Sequence, residues 1–423
     1  MSKVAALSIP MAETQRTAAS PSVMRVLLPI MGVVLIEFLV IGLALPVLPL
    51  HVSRGLGFGA FVVGLVTGSQ FIASLVSRVW AGYFADRKGP KNGVVAGLFA
   101  AAASGVLYLL SLALPSPAAS VSVVLLGRAV LGGAESFLIT GAVSWGLALV
   151  GPQGAGRIIA WVGTAMFAAL ALGAPVGVML YNTGGFGAVA IATALIPFAT
   201  LLLLLRLPGV PPLTATPKGA FKSVAKAVWV PGVGAALSSI GFGAILAFAS
   251  LLFANRGWSP VWLAFTAYAV ALIAARLGLG HLPDMIGGAR VALGSALIET
   301  AGLMLMWLAP GPLVAAVGAA LTGFGYALVY PALGVEAVRR APPQSRGLVM
   351  GIYTAFLDVA LGFGTPALGL ISGRLGLNTV FLASAMAVLG ATAFAALLLA
   401  APARRELPTV IRHHARKEFC HDR

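Results

Sequence analysis

Twelve apolar stretches separated by short polar breaks run through the 423 residues of this chain and leave it few ways to fold. They lie at about 25–50, 59–84, 92–114, 121–149, 157–181, 187–206, 230–254, 260–281, 290–309, 312–337, 347–372 and 378–401. Each approaches or exceeds the ~20 residues that, at about 1.5 Å per residue, cross ~30 Å of hydrocarbon. A backbone in lipid must satisfy its own hydrogen bonds, so such stretches read as α-helices. With only 9% of residues charged and 60% hydrophobic, the chain is expected to be an all-α membrane protein. The breaks carry turn signals, such as PSPAAS after Leu114 and the Pro310 to Pro312 run. Residues 1–24 contain Pro10 and Pro21 and no continuous apolar core of the signal-peptide kind, so the first span is expected to stay in the mature protein.

The formal charge of +16 does not read as a nucleic-acid surface. Its Lys and Arg sit in short runs between apolar segments instead of gathering on a polar, aromatic-rich face. An even number of spans puts both termini on one side. Placing them in the cytoplasm assigns Arg54, Arg256 and Arg374 to outer loops and Arg128 to the membrane interior, and leaves 23 of the 27 basic residues inside. That asymmetry sets the expected orientation, with both termini in the cytoplasm. Cys420 is a lone thiol in the tail, His51 and His281 lie at opposite span ends, and no metal-ligand spacing or Gly-rich loop before Lys-Ser/Thr is present. No metal, cofactor or ATP is therefore expected, and no catalytic residue is assigned.

The sequence repeats itself. Arg78, Gly82, Asp86 and Gly89 return 198 positions later as Arg276, Gly280, Asp284 and Gly287. Gly127, Gly132, Pro152, Gln153, Gly156 and Pro175 return after 191 as Gly318, Gly323, Pro343, Gln344, Gly347 and Pro366. Two halves of six spans each enter the bilayer from the same side, which predicts a pseudo-two-fold axis along the membrane normal. The expected domains are an N-terminal tail (1–24), a first half (25–207), a linker (208–229), a second half (230–401) and a basic tail (402–423). In the linker, Lys218, Lys222 and Lys226 would line one face of a short helix on the anionic inner leaflet, or belong to a solvated connector. The tail, with Arg412, His413, His414, Arg416 and Lys417, is expected to meet anionic headgroups.

The run GYFADRKGPK, from Gly82 to Lys91, resembles the signature between the second and third spans of the major facilitator superfamily, G-x-x-x-D-R-x-G-R-R or K. Gly82, Asp86, Arg87, Gly89 and Lys91 match; Pro90 replaces a basic residue, and the copy at Gly280 and Asp284 has Met285 where the signature has Arg. Gly127 to Gly146, Ala171 to Gly177 and Tyr330 to Arg340 look more closely like the YfcJ/YhhS-like bacterial transporters, a group described as efflux-type. Arg128 and Gly132 fit the fourth-span R-x-x-x-G proton-coupling motif. Gly173, Pro175 and Gly177 are similar to the fifth-span antiporter motif, with Ala169 and Ala174 replacing two of its glycines. The resemblance implies a monomeric transporter with twelve spans that latches its halves on the inner side through the signature. Arg78, Gly82 and Asp86, four apart, would form a stripe down the second span, with Gly82 admitting a helix and Asp86 accepting hydrogen bonds or facing a helix N-terminus. A plain positive-inside loop with a capping Asp is the other reading.

Five ionisable residues sit well inside spans: Glu37, Arg128, Glu135, Glu299 and Asp358. Each costs on the order of 3 kcal/mol at a helix centre and so needs a cavity, a partner or neutrality. In the superfamily's arrangement the first, fourth, seventh and tenth spans line the cavity, which places Glu37, Arg128 and Glu135 on the transport path. Arg128 and Glu135 are nearly two turns apart, ~10 Å along the axis. Arg128 is expected to bridge to another helix, with Glu37 the favoured partner, leaving Glu135 free to titrate. A static interhelical role for both glutamates is the alternative. An arginine that approaches or leaves a glutamate as the halves rock changes that glutamate's proton affinity, the elementary step of proton coupling. Asp358 could face either the cavity or the interface. Glu299, on a span expected at the lipid side, would bond a neighbouring helix. Gln70, Tyr326 and Tyr330 are weak substrate-cavity candidates, and Ser74, Ser238, Ser239, Tyr268, Tyr353 and Thr354 are further polar groups in these spans.

The function read from these features is secondary transport of a small organic solute, by proton-coupled export. Symport or facilitated import of a sugar or organic acid is the alternative. A membrane-embedded sensor or enzyme would need a catalytic cluster or a soluble domain.

Overall fold

The computed structural model describes residues 21–150, 155–205, 207, 209–211, 221–341 and 346–400. The basic tail, Cys420, Lys218, Pro152, Gln153, Pro343 and Gln344 lie outside the described residues. The long helices are α1 (Pro21–Ala44), α3 (Ala60–Lys88), α4 (Pro90–Leu112), α5 (Pro117–Val150), α6 (Ala155–Leu205), α7 (Phe221–Asn255), α8 (Leu263–Leu279), α10 (Gly288–Leu308), α11 (Pro312–Arg340), α12 (Arg346–Leu375) and α13 (Thr379–Ala400). Two short pieces, α2 (Val47–Leu50) and α9 (Leu282–Ile286), complete the series, and α2 runs into a π-helical turn at His51–Gly55.

Among the described residues, ten helical stretches are long and apolar enough to cross a bilayer. Two local features reconcile that number with twelve passes. In α6 the backbone leaves helical geometry at Gly184 and Gly185, and Gly185 takes φ 63°, so one long run holds the fifth and sixth passes. The eighth pass, α8, has 17 residues and spans ~25 Å, just short of a full crossing length. The seventh pass starts nine residues earlier than expected. Lys222 and Lys226 are exposed in the opening turns of α7, so in this region the linker is the start of a span and not a separate interfacial helix.

The two halves repeat in contacts as well as in sequence. Gly132 on α5 presses on the backbone of Gln70 in α3, and its copy Gly323 on α11 presses on Tyr268 in α8, which lies 198 positions after Gln70. Gly89 and Gly287 end their helices at φ 90°, ψ 148° and φ 95°, ψ 141°. Only glycine adopts such a left-handed turn without strain, so the repeated glycine is a reversal of chain direction before the next span. These two turns define what we call the turn end of the bundle.

The halves meet along two seams. In the first, α3 lies against α12, with Gly64 and Gly68 against the backbone of Thr365 and Gly362, and Gly369 against Ala60. Small residues let helix backbones approach where apolar side chains gain nothing by leaving lipid. The second seam joins α6 to α8, where Phe167 packs edge-on to Phe242 of α7 and Thr266 Oγ1 reaches the Ala171 carbonyl at 3.4 Å. At the end opposite the turns the molecule is closed. Residues 40–52 and 241–253, the last thirds of the first and seventh passes, are buried without exception. Arg54 Nη2 donates across the halves to the Ala254 carbonyl at 2.5 Å, at the C-terminus of α7, where a cation complements the helix dipole.

Candidate functional site

The polar stripe of α3 runs towards the bilayer centre from Arg78 and not towards the loop. Gln70, Ser74 and Arg78 are spaced by four and all reach other helices. Gln70 Nε2 donates to Glu135 Oε2 on α5 at 2.6 Å. Ser136 Oγ donates to the Ser74 carbonyl at 2.8 Å. Arg78 Nη2 donates to Ser74 Oγ at 3.2 Å and to Asp358 Oδ2 on α12 at 2.5 Å. The last contact crosses between halves and buries the Asp358 side chain to 3% exposure. Asp358, open to either location from its sequence, thus stands on the seam, and Arg78 belongs to this cluster and not to the loop signature.

Glu37 and Arg128 are each 1% exposed. The expected ion pair between them is not formed: both carboxylate oxygens of Glu37, and Nε and Nη1 of Arg128, have no hydrogen-bond partner among the described residues. Packing accounts for this. The first pass lies chiefly on α6 and only lightly on α5, so Glu37 is not drawn up to Arg128. The Gln70 backbone wedges against α5 at Gly132, between Arg128 and Glu135, and keeps these two apart as well. All the same, Glu135 lies within electrostatic reach of Arg78 and Arg128, and Glu37 within reach of Glu135. The cluster holds unspent pairing capacity, and a buried unpaired polar group is costly. A shift of a few ångströms between helices would change which carboxylate the arginines neutralise.

The loop signature is disengaged. A Cβ at Gly82 would meet nothing within 4 Å, and Asp86 is exposed with no hydrogen bond or ion pair among the described residues. Asp284 is exposed likewise. Arg87 lies over the Tyr83 ring at 4.2 Å, and Lys91 Nζ donates to the Leu207 carbonyl at 2.6 Å, tying the turn to the end of the sixth pass. The role expected of Asp86, a carboxylate at a helix N-terminus, is filled in the second half by Glu336, whose Oε1 accepts from Ala289 N at the start of α10. The fifth-pass glycines are packing points. A Cβ at Gly173 would lie 2.8 Å from Gly42, and one at Gly177 would lie 2.0 Å from the Leu43 carbonyl oxygen, so both hold the first pass against the fifth; Pro175 lies between them.

Glu299 is buried, not lipid-facing. It accepts from Ser238 Oγ of α7 at 2.6 Å and is wholly enclosed, because Gly241 of α7 and Gly325 of α11 bring their backbones close to it. Near it Phe242 stacks on Tyr268 at 5.5 Å and on Tyr326 at 5.2 Å, and further along Tyr330 lies tilted against Tyr353 at 4.9 Å. Tyr326 is buried and shares a 3.3 Å contact with Ser239, whereas Tyr330 keeps some exposure and donates to Thr354. We expect Ser238→Ala, which strips the only side-chain hydrogen bond Glu299 makes among the described residues, to destabilise the fold by about 1–3 kcal/mol, read as a lowered melting temperature of the purified protein.

Sequence reasoning named Arg54 only as an outer-loop charge and Arg276 only as a repeat copy, and it did not foresee the contacts of either or the pairing of Arg78 with Asp358. For Arg276 the signal was present, since it is the 198-residue copy of Arg78.

Comparisons with known proteins fit this architecture. The sequence profile of the Major Facilitator Superfamily matches residues 30–282 and 232–422. An uncharacterized MFS-type transporter of Salmonella typhimurium is 43% identical over 358 residues, 84% of this chain and 92% of its own length. Another from Burkholderia mallei is 43% identical over 371 residues, 87% and 90% of the two chains. Among solved structures, that of a D-xylose-proton symporter aligns with a TM-score of 0.70 at 17% identity, covering 88% of this chain and 96% of that one.

Proposed function

The chain belongs to the major facilitator superfamily, and on that premise we propose that it exports a small organic solute in exchange for protons by alternating access. In this reading it is a monomer of the bacterial inner membrane, of the YfcJ/YhhS-like kind, with both termini and the turn end in the cytoplasm. The observation that carries the proposal is the cluster of Glu37, Arg128, Gln70 and Glu135 beside the Arg78–Asp358 pair. Carboxylates and arginines sit there within reach of one another at the joint between halves. Two of them are unpaired in the present conformation, as expected of groups whose partners change when the halves rock. The closed end formed by the first and seventh passes, together with the disengaged Asp86, corresponds to the inward-facing stage. In the outward-facing stage the signature would engage the second half and latch it.

Liposome transport under an imposed pH gradient tests coupling and direction together. Antiport moves solute opposite to the protons, whereas symport moves both the same way. We expect Glu37→Gln and Glu135→Gln to lose gradient-driven accumulation while Glu135→Gln still equilibrates solute down its own gradient. Full gradient-driven transport in both variants would refute the coupling assignment. Asp86→Asn should slow turnover without reducing expression, and wild-type turnover would rule out the latch.

A further inference from the structure

Arg78 and Arg276 are copies of one residue, but the two seams treat them differently. Arg78 on α3 meets Asp358 on α12. Eight residues before Pro366 stands Asp358, and eight before Pro175, its repeat partner, stands Phe167. Arg276 on α8 lies over that Phe167 ring, 4.6 Å from its centroid. The pseudo-symmetric position that supplies Arg78 with a carboxylate thus supplies Arg276 with a benzene ring. Its Nε donates weakly to the Ala327 carbonyl at 3.4 Å, and Nη1 lies close to Gly163. No ion pair to Arg276 is formed among the described residues.

A cation–π contact contributes about 0.5–2 kcal/mol and does not neutralise a charge held within the membrane. Three carboxylates of the site are committed elsewhere, Asp358 to Arg78, Glu299 to Ser238 and Glu135 to Gln70, and Glu37, whose oxygens have no partner among the described residues, makes no ion pair with Arg276 either. Arg276 is partly exposed, as are Arg78, Glu135 and Tyr330 in other passes. Tyr330 lies within electrostatic reach of both arginines. Phe242 packs against Phe167, and the rings of Tyr268 and Tyr326 stacked on it lie within electrostatic reach of Arg276, all three buried in the present conformation.

We propose that Arg276 is a substrate-binding residue and that the solute is an organic anion, its charged group paired with this guanidinium and its apolar body against the aromatic wall. The assignment rests on the transporter reading above and narrows its substrate class. It is independent of proton coupling and of direction.

The test is binding by the purified full-length protein in detergent, read as a ligand-dependent rise in melting temperature, with benzoate, its neutral analogue benzamide and the cation benzylammonium as probes. Benzoate should stabilise the protein, and the other two should not. Arg276→Gln should weaken the benzoate response at least ~10-fold, as for one lost charge-assisted hydrogen bond. Phe167→Asp should do the same by giving Arg276 the internal partner that Arg78 has, at some cost in ligand-free melting temperature because a buried ring is lost. Arg276→Lys should keep a weaker response, so the assignment stays testable if the Gln variant does not fold. Lack of any benzoate response, a response equalled by benzamide or benzylammonium, or wild-type binding in the Phe167→Asp and Arg276→Lys variants would overturn it. Binding of benzoate by a protein indifferent to a pH gradient would sink the coupling reading alone. Gradient-driven transport of other solutes with no benzoate binding would sink this one alone.

Discussion

Replacing Arg78 by Gln should destabilise the protein by about 3–5 kcal/mol, the cost of stripping one partner from a buried ion pair. The pair is short, Asp358 is almost fully enclosed, and Arg78 is 22% exposed. The two single substitutions are expected to differ. Asp358→Asn leaves Arg78 with Ser74 and with Glu135 in reach, so part of the loss is recovered. Arg78→Gln leaves Asp358 facing Glu135, two carboxylates with no cation between them. The double substitution Arg78→Gln with Asp358→Asn should then recover most of the lost stability. Melting temperatures of the four proteins form a double-mutant cycle, and simple additivity would mean that the two residues are not coupled.

Gly132→Ala should be among the least tolerated changes in the chain. An added Cβ would lie 1.9 Å from the Gln70 carbonyl oxygen, and its copy in Gly323→Ala would lie 2.1 Å from that of Tyr268. The obstacle in both is helix backbone, so the crossing itself must open, at about 1–3 kcal/mol or more. Gly132→Ala should also impair transport, because Gln70 is the residue that holds Glu135. Gly133→Ala is the control: that position faces open space, and its variant should fold and melt as the parent does. Equal monodisperse yields and melting temperatures for the two would show that the crossing has room to spare.

Much of this architecture was legible in the sequence, for physical reasons. Span length is dictated by the bilayer, so the passes could be counted even where α6 fuses two of them and α8 falls short. The repeat was legible because constant displacements of 198 and 191 survive divergence, and Gly89 and Gly287 show what was kept, a shared backbone turn. Partners were harder. Arg78 and Asp358 stand 280 residues apart, and which face each helix turns inwards is set by glycine contacts such as Gly68 on Gly362. The ninth pass was expected to face lipid, yet its Glu299 is sealed against α7 because Gly241 and Gly325 leave room for it. The absent Arg128–Glu37 pair has the same origin, since a pairing inside a bundle depends on helix rotation as much as on span membership.

The sealed ends of the first and seventh passes have an electrical consequence. Thirteen buried residues at about 1.5 Å each make a dry column of ~20 Å, most of a ~30 Å hydrocarbon layer. Voltage falls where the dielectric is low and ions cannot enter, so with the turn end open to water, as the proposed inward-facing stage requires, most of the membrane potential would drop across this column. Arg78, Glu135 and Arg276 lie outside that column and would sit closer to the potential of the turn end. In the proposed alternating-access cycle, opening the column and closing the turn end would pass the same groups to the other side of the field without moving them far. Each net charge carried through that change is worth about 2.3 kcal/mol per 100 mV, so the charge state of the loaded cluster decides whether membrane voltage assists or opposes each turnover.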